Sequence, residues 1–111
     1  MNRELAAQEI QAALTDAEVD VQPLPATAKN AQSFADSLPD DLQQPGIWAE
    51  DDGDIEFEWY VRPDWVFSVS VSSEGVLYYA GLFGPDCMSG QGQIGGDVNP
   101  EILKSIRRVY A

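Results

Sequence analysis

The sequence predicts an α+β fold of two layers, with helices packed on one face of an antiparallel meander of three to four strands. Between residues 54 and 83, two short breaks separate three runs of alternating or β-branched and aromatic residues, which is the pattern of consecutive antiparallel strands. Apolar residues recur with helical spacing in two segments before these runs and in one after them. A chain of 111 residues, 44% of them hydrophobic, suits a single domain over 1–111 with a true core.

The first helix is predicted over residues 2–18, with Asn2 as its N-cap. Its apolar stripe is narrow and rich in alanine: Ala6, Ile10, Ala13, Leu14 and Ala17. Asp16 and Glu18 lie near the predicted C-terminus, where negative charge opposes the helix dipole. The alternative is therefore a shorter helix that ends near Thr15.

A second helix is predicted over residues 27–38, after a connector that Pro23 and Pro25 hold extended. Thr27 is its predicted N-cap, and Pro39 ends it. Its predicted buried face consists of Ala28, Ala31, Phe34, Ala35 and Leu38.

The antiparallel sheet is predicted over residues 47–83. Ile47 and Trp48 begin a short edge strand, and an acidic turn at 50–53 joins it to the next strand, because Asp-Gly is a strong hairpin signal. Side chains alternate between the two faces of a strand. One face of this next strand is apolar: Ile55, Phe57 and Trp59. The opposite face carries acids and one aromatic residue: Asp54, Glu56, Glu58 and Tyr60.

The rest of the meander turns at 62–64 and at 73–75, and Pro63 is preset for the first of these bends. The residues of the middle strand that are predicted to face the core are Trp65, Phe67, Val69 and Val71. Those predicted to face outward are Ser68, Ser70 and Ser72. The strand at 76–83 is apolar on both faces, which predicts a central strand or one that is covered on its second face.

A Gly-rich loop is predicted over residues 84–98 and a final helix over residues 99–110. The loop contains the spacing G-x-G-x-x-G at 90–95, but residues 96–98 separate it from the helix and no parallel βαβ unit surrounds it. A flexible loop is therefore predicted instead of a nucleotide site. Three signals favour the start of the helix: Asn99, Pro100 and Glu101. Its predicted buried stripe is Ile102, Leu103, Ile106, Val109 and Tyr110.

The composition excludes several classes of function. The net charge of −13 exceeds the magnitude of about 2–8 that is usual for a small soluble domain. It argues against nucleic acid or an anionic membrane as a direct partner, and it favours a basic protein groove or metal ions. The chain has no histidine, which removes the commonest general base and every Ser-His or Cys-His scheme.

No enzymatic activity, cofactor or dedicated metal site is predicted. The only cysteine, Cys87, has no cationic neighbour in sequence that would activate it. The acidic turn at 51–54 resembles a calcium loop only in part, because EF-hand ligands are spread over about 12 residues. The N-terminal segment shows no leader, and no run approaches about 18 apolar residues, so a cytoplasmic protein is expected.

The main candidate site is a run of acids on and beside the first long strand. Between Lys29 and Arg62 there are nine acids and no basic residue. Alternate residues of a strand lie about 6.8 Å apart on one face, which is comparable to the separation of phosphates along a nucleic-acid backbone. The candidate partner-binding acids are Asp54, Glu56 and Glu58, extended by Glu50, Asp51 and Asp52. The alternative is a solvated face that keeps the protein soluble and guards the sheet against edge aggregation.

Aromatic residues are interleaved with these acids, and so small a domain cannot bury all of them. Core positions are predicted for Trp59, Trp65 and Phe67. Tyr60 and Tyr78 are the candidate interface aromatics, because a ring beside carboxylates suits an arginine through cation–π contact and ion pairing.

The stretch from Gly53 to Tyr110 resembles a group of small, largely uncharacterised bacterial proteins. The shared pattern is DG-x-I-x-x-EW, a SVSV strand, G-x-LYYAGLFG and a closing helix of the PEEIL type, here NPEILKSIRRVY. The group implies an α+β fold and supplies no catalytic residues, and the first thirty residues of this chain depart from it. In size and charge the chain also resembles antitoxins and phage-borne inhibitors of CRISPR systems or restriction enzymes.

These features predict a small acidic, non-enzymatic inhibitor that blocks a basic, nucleic-acid-binding protein, for instance as a DNA mimic of the anti-CRISPR or anti-restriction type. An antitoxin that neutralises a basic toxin is the alternative within the same class. The rival class is a structural or homodimerisation module whose acidity serves only solubility. The expected oligomeric state is a monomer or a weak homodimer.

Overall fold

The chain folds into three helices and five strands, and the computed structural model describes all of residues 1–111. The helices are α1 (Arg3–Leu14), α2 (Pro25–Ser37) and α3 (Pro100–Val109). The strands, which all lie between α2 and α3, are β1 (Gly46–Ala49), β2 (Ile55–Arg62), β3 (Trp65–Val71), β4 (Val76–Phe83) and β5 (Asp86–Gln93). None of the helices combines the length and the apolar character that crossing a bilayer requires.

The five strands form one antiparallel sheet in the order in which they occur along the chain, β1-β2-β3-β4-β5. This confirms the α+β class and the antiparallel meander, but the sheet has five strands instead of the predicted three to four. Alternate residues along β2, β3 and β4 are buried. The buried residues form the inner face of the sheet, which α2 and α3 contact.

Aromatic packing on the inner face forms the centre of the core. Phe57, Trp59 and Phe67 are fully buried, as the alternation along β2 and β3 predicts. The ring of Phe34 from α2 meets Phe57 edge-on, with 4.9 Å between ring centroids. The indole Nε1 of Trp59 donates a hydrogen bond to the carbonyl of Gln43 at 3.0 Å, so the burial of its polar atom is compensated.

Strand β5 corrects the prediction over residues 84–98, which placed a Gly-rich loop there. Asp86–Gln93 pairs with β4 along its whole length, and only residues 94–99 connect it to α3. The glycines have a packing role, because a Cβ on Gly90 would lie 2.7 Å from the side chain of Tyr79. The G-x-G-x-x-G spacing thus begins inside a strand, where it makes room for a tyrosine.

The helix boundaries differ slightly from those predicted. Helix α1 ends at Leu14 with Thr15 as its C-cap, which is the shorter of the two alternatives. Helix α2 begins at Pro25, because proline suits the first helical position. Thr27 is not the N-cap but is buried in the first turn. The start of α3 is confirmed, since Asn99 Oδ1 accepts a hydrogen bond from the backbone N–H of Glu101 at 2.8 Å.

Some positions predicted to be buried lie at the margins of the core. The half-buried or exposed ones are Leu14, Ala17, Trp65, Leu103 and Tyr110. Most of them lie at or beyond the ends of elements, where the core thins. Strand β4 is central in that β3 and β5 flank it, but its second face is not covered, because Tyr78 and Leu82 are 45% and 44% exposed.

Candidate functional site

The sheet face opposite the helices is here called the outer face, and the residues predicted to bind a partner lie on it or in the β1–β2 turn at its edge. The strand register arranges the outer face in rows that run across the strands. One row joins Trp48, Glu56, Ser70, Tyr78 and Gln91. The next row joins Gly46, Glu58, Ser68, Ala80 and Ser89. A third row joins Tyr60, Val66, Leu82 and Cys87.

Six acids gather at the β1–β2 side of the outer face, and we call them the acidic patch: Glu50, Asp51, Asp52, Asp54, Glu56 and Glu58. Hydrogen bonds within the β1–β2 turn position the first four. The N–H of Glu50 donates to the carbonyl of Asp54 at 2.9 Å, and the N–H of Asp54 donates to Asp52 Oδ1 at 2.9 Å. Gly53 has a φ of +92°, a conformation that favours glycine, as the Asp-Gly signal predicts.

Burial and mutual repulsion raise the pKa values of two carboxyls in the patch. The pKa of Glu56 rises to about 7, first because the group is partly desolvated and then because of the charges of Glu50 and Glu58. A hydrogen bond to Glu50 also favours the protonated form of Glu56. The pKa of Asp54 rises to about 6, again by burial first and then by the charges of Asp52 and Glu50. Ionisation of these two carboxyls therefore costs the folded protein free energy.

Glu50 is the link between the patch and the middle of the sheet. Its Oε1 accepts a hydrogen bond from the Ser70 hydroxyl at 2.5 Å, and Ser70 is the cross-strand neighbour of Glu56. The Glu50 carboxylate is thus held over the outer face, next to Glu56. Sequence alternation did not place Glu50 in this position, since the residue follows the end of β1.

The chain uses its arginines elsewhere. Its three salt bridges are Arg3–Asp40, Arg107–Asp41 and Arg108–Asp86, at 2.8, 3.1 and 2.9 Å. None of the six patch acids forms a salt bridge. The negative charge of the patch therefore has no cationic partner within the chain.

Large apolar side chains are exposed beside these acids. Tyr60 is 54% exposed and Trp48 is 39% exposed. Trp48 and Tyr78 lie in the first row, and Tyr60 and Leu82 lie in the third, so exposed apolar side chains flank the row of Glu58 on both sides. The indole of Trp48 lies over Gly46, which is the cross-strand neighbour of Glu58. The outer positions of Tyr60 and Tyr78 agree with the strand alternation. Trp48 and Leu82 were not predicted as interface residues, because the sequence does not show that no helix or loop covers the outer face.

Three open depressions shape the outer face, and the third, against the β1–β2 turn, is lined by Trp48, Ala49, Glu50, Asp51, Asp52 and Glu56. The first lies at the patch side and is lined by Asp52, Asp54, Ser70, Ser72, Ser73, Glu74 and Tyr78. The second lies toward β5 and is lined mainly by small or apolar residues: Val66, Ser68, Ala80, Gly81, Leu82, Cys87, Met88 and Ser89. The first depression is thus lined by both carboxylates and the Tyr78 ring, which are groups that suit a guanidinium or ammonium ion. No group of three or more acids and cysteines is arranged to hold a metal ion.

Comparisons of the chain with models of protein families, with curated proteins and with solved structures found no match. The resemblance to small bacterial proteins stays a prediction from the sequence motifs.

Proposed function

We propose that this protein is a non-enzymatic binding protein whose acidic patch docks onto a basic, nucleic-acid-binding protein and blocks it. The observation that carries the proposal is that six acids share one uncovered face and none has a cationic partner in the chain. A basic groove would supply the missing cations and release counterions from both surfaces.

The cost of ionising the patch supports an external partner. The raised pKa values of Asp54 and Glu56 mean that ionising them costs the folded protein free energy. Arginine or lysine side chains placed against the patch would reverse that cost, because an adjacent cation favours the ionised carboxylate. Relief of this cost, which comes first from burial and then from repulsion between the carboxylates, would thus favour the complex.

The geometry suits a surface that normally receives nucleic acid. Glu56 and Glu58 project from one face of β2 at the alternate spacing of a strand, about 6.8 Å. Exposed aromatic residues flank them, and such residues are enriched at the cores of protein interfaces. An anti-CRISPR or anti-restriction DNA mimic is one instance of this activity, and an antitoxin acting on a basic toxin is another.

Partner capture followed by charge reversal tests the proposal. The tagged protein would be used to isolate its partner from the native host, and the affinity for the identified partner would then be measured by calorimetry. The double variant Glu56→Lys with Glu58→Lys is expected to weaken binding by about 100-fold, or roughly 2.8 kcal/mol. A matched control, Asp36→Lys with Asp97→Lys, changes the net charge equally at exposed sites away from the outer face. The control is expected to stay within about threefold of the wild type.

Three outcomes contradict the proposal. The captured partner could be neither basic nor able to bind nucleic acid. The patch variant could bind as tightly as the wild type, or the control could lose as much affinity as the patch variant. A tight, salt-insensitive homodimer that buries the outer face would instead support the structural-module class.

A further inference from the structure

The free edge of β5 is the longest unprotected backbone in the molecule. Asp86–Gln93 pairs with β4 on one side only. In a two-residue hairpin, hydrogen-bonded pairs alternate along the strands, starting from the closing pair Phe83–Asp86. The backbone N–H of Ile94 donates to the carbonyl of Gly75 at 2.9 Å. Ile94 lies an even number of residues after Asp86, so this bond continues the same alternation. The backbone groups that point to the free edge are therefore those of Cys87, Ser89, Gln91 and Gln93.

The opposite edge of the sheet is guarded by several means. Strand β1 has four residues, follows Pro45 and is contacted by α1. The N–H of Ile47, which β2 does not use, donates to Glu9 Oε2 of α1 at 3.1 Å. Short edge strands, prolines and covering helices are the usual means by which proteins prevent edge pairing. On β5 there is no proline and no lysine, and no loop or side chain bonds its backbone.

Charge is also distributed unequally between the two edges. Residues 87–96 contain no charged side chain, and Asp86 is held by Arg108 at 2.9 Å. The acidic patch lies on β2 and the β1–β2 turn, about 14 Å away at three strand spacings. A chain of net charge −13 can approach another copy of itself most easily where its surface is neutral, and β5 is that place.

We propose that two copies of this chain associate through antiparallel pairing of their β5 edges into a continuous ten-stranded sheet. A twofold register that sets Gly90 opposite Gly90 places Ser89 against Gln91, and Cys87 against Gln93, of the second copy. This register forms about eight new backbone hydrogen bonds. The two β2 strands would lie about 34 Å apart, several Debye lengths at physiological salt, so the acidic patches barely repel each other. A basic strand from another protein would find no charge complement at this edge.

Pairing through β5 does not depend on the proposed function, because the β5 edge and the acidic patch share no residue. In this assembly both acidic patches stay exposed, and one dimer would present two docking surfaces. The rival module hypothesis differs in geometry, since it buries the outer face instead of the edge.

Sedimentation equilibrium with three variants tests the pairing. The wild type is expected to dimerise as its concentration rises to about 0.5 mM, since an interface formed mainly by edge pairing is small and weak. Gln91→Pro removes an N–H that points to the free edge and leaves the bonds to β4 intact, so the dimer should weaken at least about tenfold. Ser68→Lys places a charge at the middle of the outer face, and Glu56→Lys with Glu58→Lys alters the patch. Both of these should dimerise like the wild type.

Amide hydrogen exchange on the wild-type protein gives a second reading that does not depend on a variant folding. As concentration rises, the amides of Ser89 and Gln91 should gain protection at least about tenfold, while those of Met88 and Gly90 are already protected by β4. The proposal is overturned if the wild type stays monomeric at 0.5 mM, or if Ser68→Lys breaks the dimer while Gln91→Pro does not. It is equally overturned if the alternate amides of β5 gain no protection.

Discussion

Strands β2 and β5 have the same length of eight residues but are held in the sheet by different means. Strand β2 anchors itself with side chains, since Ile55, Phe57 and Trp59 are fully buried. No residue of β5 is fully buried, and on its inner side Gly90 packs against the ring of Tyr79. It stays in place mainly through backbone pairing with β4, and three side-chain contacts add to this: Gly90 against that ring, Met88 against the core and Asp86 with Arg108.

The difference indicates a division of roles. Repelling charges can be tolerated on a strand whose opposite face is buried in the core, and β2 carries the acids. A strand that depends on backbone pairing cannot bear the same repulsion, and β5 is nearly neutral. The acidic patch therefore lies toward the β1 edge of the sheet, and the free backbone edge is that of β5 at the other end.

The largest expected effect is on the anchoring of β2. Phe57→Ala should destabilise the protein by about 3–5 kcal/mol, because it removes a buried ring that packs against Phe34 and Trp59. Tyr60→Ala on the outer face of the same strand should cost less than about 1 kcal/mol, since the side chain is 54% exposed. Urea unfolding measures both. Equal losses would mean that β2 is not anchored mainly by its inner face.

The glycines of β5 should show a smaller effect. Gly90→Ala places a Cβ 2.7 Å from the Tyr79 side chain and should cost about 1–3 kcal/mol, since the ring must move. Gly92→Ala is the matched control, because its Cβ meets the end of the Asn99 side chain at 3.3 Å and Tyr79 only at 4.0 Å. Thermal unfolding should leave the control near the wild type. Two equal losses would show that Tyr79 does not hold β5.

The smallest expected effect concerns the pH dependence of stability. The pKa of Glu56 is about 7 in the folded state against an ordinary 4.5, so the folded state binds more protons than the unfolded state between these values. Wild-type stability should therefore fall as the pH rises from about 4.5 to about 7. Glu56→Gln removes this ionisation and should stabilise the protein by about 1 kcal/mol at pH 8, after allowance for solvent screening, and by little at pH 4.5.

The check is chemical unfolding at the two pH values, with Asp36→Asn as an exposed control outside the patch. The control should follow the wild-type pH dependence. A Glu56→Gln variant that is no more stable than the wild type at pH 8 would show that ionising Glu56 does not cost the folded protein free energy.

The sequence predicted those parts of the fold that depend on side-chain periodicity. The apolar alternation of β2 and β3 and the start signals of α3 gave their faces and limits. Strand β5 escaped prediction because Asp86–Gln93 contains neither β-branched nor aromatic residues. Its pairing comes from the tight turn at Gly84 and from the fit of Tyr79 to Gly90, which are both tertiary features.

The sequence likewise predicted the strand residues of the candidate site but not the contacts between strands. Counting charge along the chain and alternating residues along β2 located Asp54, Glu56 and Glu58. The sequence did not show that Glu50 is held beside Glu56 through Ser70, because that contact depends on the register of three strands. Nor did it show that the face beside Trp48 and Leu82 is uncovered, because burial of a sheet face is decided by where the helices pack.

Competition between this protein and nucleic acid for the captured partner tests the central claim most directly. A labelled oligonucleotide would be bound to the partner, and its release would be followed by fluorescence anisotropy as each protein is added. The wild type and the Asp36→Lys, Asp97→Lys control should displace the oligonucleotide, whereas Glu56→Lys with Glu58→Lys should not. If the oligonucleotide and the wild-type protein occupy the partner together, the acidic patch does not take the place of nucleic acid.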